Sequence, residues 1–166
     1  FRHGVPFRRE VVQSALRHHG AFFAGPGSHV QLRFSRRQDK ISGQLRRQLN
    51  FRAELLTHAS GGPSRAEVAL RSALEQDDQS YSKSARDYLL NVLSAFPTGA
   101  TAADFDPDIG LVKLWHFGRH SVDELAALDG APEALSSLKP LLQRYGLRRV
   151  FCVGIDLHNA SSNFYF

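Results

Sequence analysis

The feature that most constrains this chain is a set of short alternating segments that come in adjacent pairs, each pair separated from the next by amphipathic, helix-like sequence. From 29 to 35, Val30, Leu32 and Phe34 alternate with His29, Gln31, Arg33 and Ser35, a period of two that predicts a strand. After a polar turn around 36–43, Leu49, Phe51, Ala53 and Leu55 alternate with Asn50, Arg52 and Glu54. A second pair spans 102–105 and 111–117 around Asp106-Pro107-Asp108, and a third spans 150–157 and 161–166, turned at His158-Asn159.

The intervening segments have helical spacing. Residues 8–24 place Val11, Val12, Ala15, Leu16, His19, Phe22 and Phe23 on one face, and Gly25-Pro26-Gly27 stops them. Ser64-Arg65-Ala66-Glu67 is a capping box that opens a helix to about Glu75. A second helix from Ser82 stacks Ala85, Tyr88, Leu89, Val92, Leu93 and Phe96 until Pro97. Ser121-Val122-Asp123-Glu124 is another capping box, and Pro132 starts a helix carrying Leu135, Leu138, Leu141, Leu142 and Tyr145 as far as Gly146. Pro140 predicts a kink or break within it. The order is helix, strand pair, helix pair, strand pair, helix pair, strand pair, an α+β arrangement in which helices bury the apolar faces of antiparallel hairpins.

The two faces of the strands differ in chemistry. The apolar sets are Val30/Leu32/Phe34, Leu49/Phe51/Ala53/Leu55, Val112/Leu114, Phe151/Val153/Ile155 and Phe164/Phe166. Opposite them stand Gln31/Arg33, Asn50/Arg52/Glu54, Lys113/Trp115/Phe117, Cys152/Gly154/Asp156 and Asn163/Tyr165. A face that simply met water would be rich in short charges. This one mixes cations with large aromatic rings, as a pocket for an anion attached to an apolar body requires. A plain helix-backed sheet with one wet face remains the simpler alternative.

Charge and composition narrow the function. The 21 Lys+Arg against 16 Asp+Glu give a formal net charge of +5, but the basic residues come as scattered pairs (Arg8-Arg9, Arg36-Arg37, Arg46-Arg47, Arg148-Arg149) rather than a stripe, so no nucleic-acid partner is expected. Arg outnumbers Lys 17 to 4, which suits a smaller phosphate-bearing ligand because the guanidinium fork binds phosphate oxygens in pairs. With 42% hydrophobic and 22% charged residues the chain can build a core, so disorder is excluded. No apolar run reaches the ~18–20 residues of a membrane helix, and no membrane partner or intact signal peptide is expected. Cys152 is the single cysteine, which fits a reducing, cytoplasmic setting without disulfides.

Two motifs carry a family resemblance. Ala103-Asp104-Phe105-Asp106 leads to Lys113-Leu114-Trp115-His116-Phe117, and Asp156 leads to Asn163-Phe164-Tyr165-Phe166. Together with the connecting helices, they resemble the soluble aromatic prenyltransferases of the αββα barrel family, first the branch of aminocoumarin antibiotic biosynthesis and next the branch that prenylates naphthalene-type polyketides. The likeness is densest from 102 to 166 and looser from 20 to 60. It implies an antiparallel β-barrel of helix-pair-plus-hairpin repeats with helices outside, of which this chain would supply about three repeats of five. The implied activity is transfer of a prenyl group, dimethylallyl or geranyl, from an allylic diphosphate to an electron-rich aromatic carbon of a small molecule in secondary metabolism. A non-catalytic small-molecule or anion-binding barrel is the alternative.

The resemblance also implies roles. Arg33, Arg52, Lys113, Asn163 and Tyr165 would bind the diphosphate, with Lys113 and Tyr165 catalytic. Asn50, Trp115, Phe117, Cys152, Gly154 and Asp156 would line the prenyl and aromatic pocket. Magnesium-dependent members carry an aspartate where this chain has Asn50, and a neutral amide is a poor sole anchor for a hard cation. No cofactor or metal is therefore expected, and ionisation should not require Mg²⁺. The full-length protein is expected to be monomeric. The chain opens on Phe1 and closes on the alternating 163–166 segment, so residues 1–166 are expected to be the N-terminal part of one barrel domain, a piece of a longer chain.

Other constellations have blander readings. Asp77-Asp78-Gln79-Ser80-Tyr81 is similar to the aspartate cluster of isoprenoid synthases, but Tyr81 replaces the third aspartate and a solvated linker is expected. His116, on the apolar side of its strand, is expected to be packed and neutral. Cys152 reads as a small lining side chain rather than a nucleophile, and Asp104 with Asp106 as hairpin structure rather than an acid/base pair. Gly25-Pro26-Gly27-Ser28 lacks the Lys and following helix of a phosphate loop.

Overall fold

The computed structural model of the protein describes residues 8–18, 29–38, 45–56, 81–106 and 110–166, with Val68, Arg71, Ser72 and Leu74; within 29–56, Arg52 is the one side chain described. The elements are α1 (Arg9–His18), β1 (His29–Gln38), β2 (Leu45–Leu56), α2 (Lys83–Ala95), β3 (Ala100–Asp106), β4 (Gly110–Ser121), α3 (Val122–Ala126), α4 (Glu133–Arg144), β5 (Arg149–Asp156) and β6 (Ser161–Tyr165). Val68, Arg71, Ser72 and Leu74 are helical between β2 and α2. The six strands form one antiparallel sheet in chain order, β1-β2-β3-β4-β5-β6. Among the described residues β1 and β6 are its two edges. The described sheet is therefore open, whereas the resemblance implies a closed barrel.

Helices cover one face of the sheet. In α2, Ala85, Tyr88, Leu89, Val92 and Leu93 recur at helical spacing and are all buried. They pack with Ala103 and Phe105 of β3, Leu111 and Leu114 of β4, and Val153 and Ile155 of β5, and Val122, Leu125 and Leu135 of α3 and α4 complete the cluster. Each fully buried large side chain here, such as Phe105, contributes about 1.5–3 kcal/mol relative to exposure. The Ser82 amide donates to the Leu157 carbonyl at 2.7 Å, fastening the start of α2 to the strand it covers.

Local signals account for the element ends. The Ser121 hydroxyl accepts from the Glu124 amide at 3.0 Å while the Ser121 amide donates to the Glu124 carboxylate at 3.1 Å, which is the expected capping box. Gly146 has φ 71, a left-handed conformation that costs glycine nothing, and the flanking bonds Gly146 N–H to Gln143 O and Leu147 N–H to Leu142 O close a Schellman motif. Of the kink or break expected at Pro140, the break does not occur, and α4 runs uninterrupted from Glu133 to Arg144. Pro140 lacks an N–H, but its position on an exposed helix lets water meet the carbonyl it leaves free.

On β3 to β6 the expected faces hold except where bulges intervene and at Phe166, whereas the side chains of the apolar sets expected on β1 and β2 lie outside the described residues. Asp104 pairs with Lys113 but Phe105 pairs with Leu111, so one residue of β4 is extra; Leu111 takes the core place expected of Val112. A second shift lies between Phe117 and His120, where Gly118 and Arg119 stand against Phe151. There Val150 is buried and Phe151, expected in the core, is 52% exposed. Phe164 packs on the core, whereas Phe166 at the end of the edge strand is exposed. In α1, Val11 and Val12 are half-buried but Leu16 is exposed. The expected helix over 19–24, the box at 64–67, most of the helix it opens, the 77–80 segment and Pro107-Asp108 lie outside the described residues.

Candidate active site

Strand register places the site. On the face away from α2, α3 and α4, three adjacent cross-strand rows run side by side: Arg52, Asp104, Lys113, Asp156 and Ser161; then Ala102, Trp115, Gly154 and Asn163; then Ala100, Phe117, Cys152 and Tyr165. A slip of one residue in any strand would turn its members into the core, so the pairing itself assembles this group. Arg33 pairs with Asn50, two positions along from the Gln31–Arg52 pair. The side chains of Arg33 and Asn50 lie outside the described residues.

The contacts of this face centre on Asp104. Its Oδ1 accepts from Arg52 Nε at 2.7 Å and its Oδ2 from Arg52 Nη2 at 2.9 Å, a two-pronged ion pair whose side chains are 15% and 12% exposed. The Trp115 indole N–H donates to Oδ2 at 2.7 Å. The Arg52 guanidinium carbon lies 4.8 Å from the Trp115 ring centroid and Lys113 Nζ lies 4.4 Å from it, so one indole faces two cations. Across the sheet, the Tyr165 ring stands 5.6 Å from that of Trp115 at 47°.

Lys113 differs from Arg52. Among the described residues no carboxylate lies within ion-pair distance of its ammonium. Burial pushes its pKa below the ordinary value, opposed by the charges of Asp156 and Asp104. Gly154 gives the indole its space. A Cβ there would stand 2.6 Å from Trp115 Cζ3, 2.7 Å from Cε3 and 2.9 Å from Lys113 Cε. Cys152 is buried, and desolvation pushes its thiol up to about 11 although Arg52 and Lys113 pull the other way, so it is a neutral side chain near neutral pH. Asp156 works on the turn: Oδ1 accepts from the His158 and Asn159 amides at 3.0 and 2.9 Å, and Oδ2 from Asn159 Nδ2 at 3.1 Å. Burial would raise its pKa, but these bonds and Lys113 hold it below the usual carboxylate value.

The register thus brings Arg52, Lys113, Trp115, Phe117, Cys152, Gly154, Asp156, Asn163 and Tyr165 to one face. Asn163 and Tyr165 are exposed on the edge strand. Asp104, read from the sequence as hairpin structure, is instead the hub of the cluster. A sequence signal existed, since Asp104 and Lys113 occupy equivalent hairpin positions once the bulge is counted, but the bulge hides that pairing. His116 is 2% exposed and held near pKa 4, chiefly by burial and then by His120; its Nδ1 lies 3.0 Å from His120 Nε2. It is a packed, neutral histidine, as expected.

Comparison with known proteins identifies the family. The family model described as aromatic prenyltransferase Orf2 matches residues 82–166, a little over half of the chain and the part that holds α2 to β6. An aromatic prenyltransferase of Sclerotinia sclerotiorum (strain ATCC 18683 / 1980 / Ss-1) is 32% identical over 71 residues, 42% of this chain. The match spans only 23% of that relative's length. Among the described residues no helix is long and apolar enough to cross a membrane. With β3 to β6 inside the matched region, the chain belongs to the aromatic prenyltransferase family.

Proposed function

We propose that the protein transfers a prenyl group, dimethylallyl or geranyl, from an allylic diphosphate to an electron-rich aromatic carbon of a small molecule in secondary metabolism. The observation that carries this reading is the meeting of Lys113, Trp115 and Tyr165 on the face opposite α2, a cation without a carboxylate partner among the described residues beside two aromatic rings. In the reaction the allylic C–O bond breaks, and its electron pair leaves with the diphosphate. The aromatic carbon attacks the allylic cation, and the ring then loses a proton. The barrier lies in charge separation, so fixed donors aimed at the leaving group lower it.

Lys113 meets the charge growing on the diphosphate, and Tyr165 and Asn163 supply donors from β6. Arg33 and Arg52 are the basic flank on β1 and β2. The faces of Trp115 and Tyr165 stabilise the cation and screen it from water, and a protonated Cys152 is a weak competitor for it. In this reading ionisation proceeds without a metal, and the sheet is one part of a barrel whose wall continues beyond β1 and β6.

The test is product formation. The protein is incubated with dimethylallyl or geranyl diphosphate and a panel of hydroxyphenyl acids, dihydroxynaphthalenes and phenazines, with excess chelator, and analysed by mass spectrometry. A prenylated aromatic is expected. Diphosphate binding without product from any acceptor would instead favour a non-catalytic anion-binding protein, and turnover restored only by magnesium would overturn the metal-free step.

A further inference from the structure

An aspartate on a face meant for a polyanion is at first sight misplaced. A carboxylate several ångströms from a diphosphate repels it by an amount comparable to a useful binding contact. Asp104 avoids this by being spent: both oxygens are taken by Arg52 at 2.7 and 2.9 Å, and one also takes the Trp115 N–H at 2.7 Å. The pair neutralises itself, and the indole is fixed from three sides, by the hydrogen bond at its nitrogen, by Arg52 at 4.8 Å from its ring, and by the bare backbone of Gly154 beneath its six-membered ring. Lys113, whose Nζ sits 4.4 Å from the same ring, has no such partner among the described residues.

We propose that Asp104 is the positioning residue of this site: it locks the Arg52 guanidinium and the Trp115 indole into one neutral unit, leaving Lys113, among the described residues, as the cation that meets the diphosphate. Arg52 is thereby a prop for the ring more than a phosphate ligand. The assignment of Lys113 to a diphosphate rests on the prenyl-transfer reading above, whereas the lock itself does not. It follows that releasing Arg52 strengthens anion binding while spoiling the geometry of the ring, so affinity and turnover move in opposite directions. A residue with a purely structural role would lower both.

The sequence contains one tryptophan, so intrinsic fluorescence reports on Trp115 directly. In Asp104→Asn, which keeps size but loses charge, the Trp115 anisotropy is expected to fall and its emission to move to longer wavelength. Inorganic pyrophosphate should bind about tenfold tighter by titration calorimetry as Arg52 becomes available, and the double variant Asp104→Asn/Arg52→Gln should lose that gain. With dimethylallyl diphosphate, kcat should fall about tenfold without a rise in KM. Asp104→Glu should restore part of the ring signal.

Arg52→Lys, which retains charge but not the two-pronged contact, covers the case in which Asp104→Asn does not fold, and the same loss of anisotropy is expected. A Trp115 signal unchanged in both variants, or weaker pyrophosphate binding by Asp104→Asn, overturns the proposal. If the wild type binds no pyrophosphate and forms no product, the prenyl-transfer reading fails, while the Trp115 signals still decide the lock.

Discussion

Replacing Gly154 by alanine tests the packing of the site at its tightest point. The new Cβ would lie 2.6 and 2.7 Å from Trp115 Cζ3 and Cε3 and 2.9 Å from Lys113 Cε, against an ordinary carbon–carbon separation of about 3.5–4.0 Å. The indole and the lysine stem must therefore lift off β5 by about 1 Å. The ring is not free to do so, because its N–H is held 2.7 Å from Asp104. Overpacking of this kind costs about 1–3 kcal/mol, offset by about 0.4–1 kcal/mol from the stiffer unfolded chain. The expected net loss of about 1–2 kcal/mol lowers Tm by about 2–4 °C per kcal/mol at this chain length.

Thermal denaturation by circular dichroism measures the loss, and Trp115 emission shows whether the ring moved. Adding Trp115→Phe, which shortens the ring system over Gly154, should recover much of the stability, so that the two changes cost less together than the sum of their separate effects. A Gly154→Ala protein with wild-type Tm and wild-type Trp115 emission would refute the reasoning.

The remaining expectations concern charge. Lys113→Ala should lower prenyl turnover at least about tenfold, or about 1.4 kcal/mol of transition-state stabilisation, and wild-type turnover would remove Lys113 from the mechanism. His116 is held at about 4 when folded against 6.5 ordinarily, so the unfolded chain takes up its proton first as pH falls below 6.5. Stability should therefore decline between pH 6.5 and 4, at up to about 1.4 kcal/mol per pH unit. His120, whose pKa burial also lowers although Glu124 opposes it, adds in the same direction. Urea midpoints at pH 7, 6 and 5 measure the slope. An unchanged midpoint across that range, or an equal slope in His116→Asn, would contradict it.

Much of the fold was legible because it rests on local periodicity. Alternation located all six strands, and helical spacing with Pro97, the Ser121 box and the Gly146 stop located α2, α3 and α4. Two departures on the strand faces share a cause. Bulges in β4 exchange Val112 for Leu111 and leave Phe151 in solvent opposite Gly118 and Arg119, and a strict period of two has no means of announcing an extra residue. Asp104 reads as hairpin structure for a different reason, because its partners Arg52 and Trp115 come from two other strands.

The sequence by itself determined, between the bulges, which residues of β3 to β6 share a face and, through two motifs, the family, because side-chain alternation and motif spacing are properties of a few consecutive residues. Only the tertiary structure decided how the charges on that face are spent. Arg52 is bound to Asp104, Asp156 is committed to its turn, and Lys113 remains beside the indole without an ion-pair partner among the described residues. The Arg52–Asp104 pair is set by distances of a few ångströms between residues 52 apart in the chain, and the Trp115 contact with Asp104 by the pairing of β3 with β4. Register and bulges fix such distances, and no local pattern encodes them.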